Sequence, residues 1–190
     1  MQRMETLGLS DSTPRSEGRL KSLFWPSVET GADVDYLGAQ GYWLCSIIAI
    51  ASLLFSALTG QPLIGFLLLL YFYIGGVGVR ERSRYAAAAV FALYFADMIF
   101  SGVGVLKILF AALLLSNLRA TWIASRWQPA SEEATLPPRF NQTLADKFAD
   151  QLPMWLWPKV RICYYILSAA TIILVVIGFL YLLRHHVMPR

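Results

Sequence analysis

Charge is what this chain has least of. Asp, Glu, Lys and Arg make up 15% of its 190 residues, while 57% are hydrophobic and the mean hydropathy is +0.54. Soluble domains carry roughly 25% charged residues. Twelve acidic and sixteen basic side chains are too few to coat this much apolar sequence in water, so a soluble globular domain is excluded. Disorder is excluded for the opposite reason, because it requires low hydrophobicity and high net charge. Cysteine is nearly absent: Cys45 and Cys163 both sit in apolar runs and make neither a disulfide framework nor a four-ligand metal site. The two histidines, His185 and His186, are adjacent, so on a helix they point about 100° apart and do not converge on a metal. No phosphate loop, dinucleotide fingerprint, His-Glu-x-x-His or nucleophile elbow occurs, and Gly102-Val103-Gly104 is too short to stand for one. No cofactor and no catalytic set are therefore expected.

Long apolar runs are what the chain has in plenty. Five of them meet or approach the roughly 20 residues needed to cross a hydrocarbon core of about 30 Å. They are Tyr42 to Leu58, Leu63 to Val79, Tyr85 to Phe100, Val103 to Ile123 and Ile162 to Leu183. The runs are continuous rather than alternating, and only a helix or a closed barrel satisfies its backbone in lipid, which points to helices. The fold expected is all-α: an integral membrane bundle of five transmembrane helices plus a cytoplasmic amphipathic helix. The third run is the weakest, being short and carrying Asp97.

The connections divide by chemistry. Thr59-Gly60-Gln61-Pro62 and Ser101-Gly102-Val103-Gly104 read as tight corners, while Arg80-Glu81-Arg82-Ser83-Arg84 and the segment from Arg126 to Arg161 are rich in cations. Thirteen of the sixteen basic residues fall on the amino-terminal side of this layout; Arg184 and Arg190 fall on the other, and Lys107 lies within a run. The positive-inside rule then places the amino terminus in the cytoplasm and the carboxyl terminus outside. A bacterial-type inner or plasma membrane is the expected location. Trp25, Trp43, Trp122, Trp127, Trp155 and Trp157 all fall near the cytoplasmic ends of the runs, as an aromatic belt would.

Four segments follow from this division. Residues 1–41 are a polar cytoplasmic lead without the pattern of a cleavable signal, carrying Arg3, Arg15, Arg19 and Lys21 with six acids. Its charge is not that of a basic arm, so no nucleic acid is expected as a partner. Residues 42–123 hold two helical hairpins. Residues 124–161 form a cytoplasmic loop in which Leu144, Phe148 and Leu152 recur every four residues after a weak Thr143-x-x-Asp146 capping box, the amphipathic helix. Residues 162–190 are the fifth span and a short outer tail.

Polar groups inside the runs are the candidate functional residues, because an ionisable side chain near a helix centre costs at least about 2.5–3.5 kcal/mol. Asp97 precedes the second corner and Lys107 follows it by similar distances, so an ion pair across the hairpin is expected. Its first reading is a structural lock; the other is an ion or proton relay. Asn117, Arg119 and Arg126, at the cytoplasmic end of the fourth run, are candidates for contact with a lipid headgroup or a partner. Ala88, Ala92 and Ala96 form a small-residue ridge, and Gly75, Gly76 and Gly78 bare the end of the second run; packing within the chain is the expectation for both. The function expected is a non-enzymatic structural or accessory membrane protein that packs against a membrane-protein partner or copies of itself among membrane lipids. The alternative is a small transporter or channel subunit using Asp97 and Lys107.

Overall fold

The computed structural model describes residues 24–26, 28, 31–126 and 155–187. Among these every regular element is a helix: α1 Gly31–Leu58, α2 Pro62–Arg80, α3 Arg84–Ser101, α4 Val105–Ala124 and α5 Leu156–Val187. All five are long and apolar enough to cross a membrane. The expected amphipathic helix around Leu144 to Leu152 lies outside the described residues.

Local chemistry sets the helix ends. Pro62 opens α2, where its missing N–H is one that no intrahelical carbonyl would have met. Gly60, with φ 78°, turns the chain ahead of it. Ser83 caps α3, its Oγ accepting from Ala86 N at 3.2 Å, and Gly102 ends α3 at φ 97°. Pro158 is tolerated in α5 because it falls in the first turn.

Two helices begin earlier than their apolar runs. α1 starts at Gly31 rather than at Tyr42, and α5 at Leu156 rather than at Ile162. The apolar content of 31–41 is sparse, but Val34 and Leu37 recur at helical spacing and are buried, and a Cβ on Gly38 would lie 3.6 Å from the backbone of Arg80 at the end of α2. Tertiary contact therefore carries the helix past the apolar boundary. At 28 residues α1 is about 42 Å long, more than a hydrocarbon core of about 30 Å. Trp157 explains the early start of α5. Expected as a belt residue, it is instead 7% exposed and packed on Gly78 and Ala86.

α2 is the central helix, and its glycines are the reason. A Cβ on Gly76 would sit 2.8 Å from Cys45 Cβ of α1, so that helix can only dock on bare backbone. Gly75 faces Val90 of α3 and the hydroxyl of Tyr164 of α5, while Gly78 faces Trp157 and Ala86. The three glycines thus present backbone to three neighbouring helices, as small residues do where dispersion rather than the hydrophobic effect drives association. The core they close holds Tyr42, Ile48, Phe72, Val90, Leu114 and Tyr164. Ala86 and Ala89 supply the buried face of α3, whereas the ridge of Ala88, Ala92 and Ala96 is only half-buried.

Candidate functional site

The polar residues singled out in the sequence occupy two places in the bundle. The first is the α3–α4 corner. Asp97 stands one turn before the end of α3 and Lys107 in the first turn of α4, with the positive-φ Gly102 folding one helix back on the other. Lys107 Nζ donates to Asp97 Oδ2 at 3.0 Å and to Ser101 Oγ, while Ser101 Oγ donates to Asp97 O at 2.5 Å. The ammonium therefore bridges a carboxylate and a hydroxyl on the same helix end. The side chains are 32% exposed for Lys107 and 56% for Asp97, so the pair sits at the rim of the bundle and not in its middle. An exposed pair of this kind stabilises by about 0–1 kcal/mol. Asp97 is the sole acidic residue within α2–α5. Chemically the group is a three-point clasp.

The second place is the opposite end of α4. Asn117 is buried; its Nδ2 donates to the carbonyl of Leu37 in α1, and its Oδ1 has no hydrogen-bond partner among the described residues. Gly41, one turn on from Leu37, makes that approach possible: the amide occupies the space a Cβ would take, and that Cβ would also stand 2.8 Å from Val79 Cγ1. Ser116 Oγ and Gln40 Oε1 are likewise buried without a hydrogen bond among the described residues. Arg119 turns the other way, donating from Nη1 to Pro26 O at 3.0 Å and lying 4.8 Å over the ring of Trp25. Arg126 lies 5.9 Å over Trp122. The structure therefore splits the expected trio: Asn117 joins α4 to α1, Arg119 holds the segment at 24–26, and Arg126 stays exposed on its own helix end.

Three further polar contacts carry no local sequence signal. Arg82 donates from Nε to Asp35 Oδ1 at 2.7 Å, tying the α2–α3 turn to the start of α1. The two residues lie at similar distances on either side of the Gly60 corner, so counting depth from the turn would have paired them, as it pairs Asp97 with Lys107. Arg82 also holds the turn in a left-handed conformation, φ 54°, which costs roughly 1–2 kcal/mol for a non-glycine residue. Within the core, Tyr71 Oη donates to Ala89 O at 3.2 Å, joining α2 to α3, and the rings of Tyr71 and Tyr164 stand 5.2 Å apart. Ser83 Oγ and Tyr165 Oη, 2.8 Å apart, share a hydrogen bond between the α3 cap and α5.

Cys45 is buried and Cys163 exposed, on different helices, and no group of three or more His, Cys, Asp or Glu residues that could hold a metal occurs among the described residues. Comparison with protein-family models, with curated proteins and with solved structures finds no match for this chain.

Proposed function

We propose that this chain is a non-enzymatic integral membrane protein with a structural or accessory role, docking on a membrane-protein partner or on a second copy of itself through the outward face of α5. The observation that carries the reading is how loosely α5 is held. It is the most apolar of the five spans, yet only 11% of its most apolar stretch is buried, against 33–44% in the others. Its inner face meets α2 and α3, while Ile166, Leu167, Leu174 and Ile177 are exposed on the opposite face in helical register. A helix kept by its own bundle on one side alone suits a protein whose other contacts lie in a second chain.

In this reading the arginine-rich connections lie in the cytoplasm with the amino terminus, and the α3–α4 corner lies outside. Asp97 and Lys107 then serve as the clasp of that corner. Their rim position and direct pairing favour a lock over a relay, since a relay residue faces the bundle interior or a watery path.

The test is purification in mild detergent with cross-linking through Leu174→Cys. A stoichiometric partner, or an α5–α5 cross-link, is the expected result. Recovery of a monomer with no partner, cross-linking to nothing, would reject the proposal. Loss of an ion flux in Asp97→Asn with folding intact would move the function to transport.

A further inference from the structure

The interface between α3 and α5 is closed at its ends and open between them. The helices run parallel: Tyr85 meets Tyr165 edge to face at 5.9 Å near one end, and Phe100 meets Phe179 at 6.2 Å near the other. Between these contacts Ala88, Ala92 and Ala96 line the α3 side and Ile172 and Val176 the α5 side. Grooves of about 500 and 300 Å³ remain. Both are lined by Ala92 and Ile172, so one continues into the other. From Tyr85 to Ile99 the trough is about 21 Å long, two-thirds of a hydrocarbon core. Its apolar lining suits a hydrocarbon chain, whose atoms pack at about 3.5–4.0 Å from their neighbours.

Charge points to what lies there. Ser168, 3% exposed, sits in the wall of the trough with its Oγ covered and near the Tyr71 and Tyr164 hydroxyls. That end of the trough carries two guanidinium groups. Arg161 is exposed and shares a helical face with Tyr165, Ser168 and Ile172. Arg84 donates from Nη2 to Tyr85 Oη at 3.0 Å and lies 4.9 Å over that ring and 5.8 Å over the ring of Trp122 in α4, beside the trough's mouth. Neither makes an ion pair with a described residue.

We infer that the α3–α5 trough binds an anionic phospholipid. Its acyl chain lies along Ala88, Ala92 and Ala96, and its headgroup is held by Arg84 and Arg161. The order of the parts matches the molecule: charge at the surface, then an apolar wall running inward from it. The site rests on the bilayer placement of the helices and not on a protein partner, which would meet the other face of α5.

The detergent-purified protein, titrated with phosphatidylglycerol and separately with phosphatidylcholine, tests this, with bound lipid counted by native mass spectrometry. Phosphatidylglycerol is expected to be held in preference. Each arginine contributes about fivefold, so Arg84→Gln with Arg161→Gln binds it about 30-fold more weakly. Ala92→Phe fills the trough where its two parts join and abolishes retention while thermal unfolding stays cooperative; if that variant does not fold, the arginine pair at the rim decides alone. Equal retention by wild type and the double variant would overturn the site. So would equal binding of both lipids, or a disulfide between two copies through Ala92→Cys.

Discussion

Gly78→Ala is the sharpest test of how this bundle is held together. A Cβ at Gly78 would stand 2.5 Å from Trp157 Cζ3, closer still to Cη2, and 2.7 Å from Ala86 Cβ. Contacts that short do not exist in folded proteins, so something must move. The Trp157 ring is boxed in by Tyr164 and Tyr165, whose ring centroids lie 5.9 and 5.8 Å away. Ala86 cannot retreat without carrying α3 with it. Overpacking a filled site costs typically 1–3 kcal/mol, and with rigid neighbours on both sides the expected loss is near 3 kcal/mol. Trp157→Leu removes the six-membered ring that causes the clash and leaves a cavity the alanine methyl partly fills. In that background Gly78→Ala should cost less than about 1 kcal/mol, giving a coupling of about 2 kcal/mol between the two positions. The assay is equilibrium unfolding of the four proteins in mixed micelles, followed by circular dichroism. Additive losses, or a Gly78→Ala protein as stable as wild type, would refute the claim that α5 docks on α2 through this glycine.

Other perturbations follow from the polar contacts. Asp97→Asn should lower stability by no more than about 1 kcal/mol in the same unfolding assay, because the clasp is half exposed; a loss above 3 kcal/mol would show that the pair is buried in the working protein. Asn117→Ala is expected to cost about 1 kcal/mol, the usual worth of an interhelical hydrogen bond in lipid, and less than the loss in Gly41→Leu, which fills the space the amide occupies; the reverse order would disprove the cradle. Arg119→Ala frees the Trp25–Pro26 segment from α4, which should appear as a red shift in the emission of a protein retaining Trp25 alone; an unchanged spectrum would mean the contact does no anchoring.

How much was legible beforehand differs from residue to residue. Asp97 and Lys107 could be placed together because both lie a short, countable distance from one glycine corner, and helix geometry turns that count into depth. Asp35 and Arg82 obey the same arithmetic, but the helix that brings Asp35 to the turn starts in sequence too polar to read as part of a span. Asn117 was visible as polar and Arg119 as basic. Their opposite directions were not, since that depends on Gly41 and on Pro26, residues far away in the chain that offer space and a carbonyl. Trp157 misleads for a related reason: a tryptophan near a run's end resembles an interfacial anchor until a glycine opposite makes room for it inside.

Composition and run length alone determined that this chain is helical and suited to lipid, because backbone satisfaction in hydrocarbon admits few alternatives and apolar length is a strictly local property. Corner residues alone determined where helices turn. Only the tertiary structure decided which small residues are contacts and which are gaps: Gly75, Gly76 and Gly78 are pressed against neighbours, while Ala88, Ala92 and Ala96 border open space. The physical reason is that a small side chain permits close approach without causing it. What stands opposite, a tryptophan ring or nothing, is contributed by another helix.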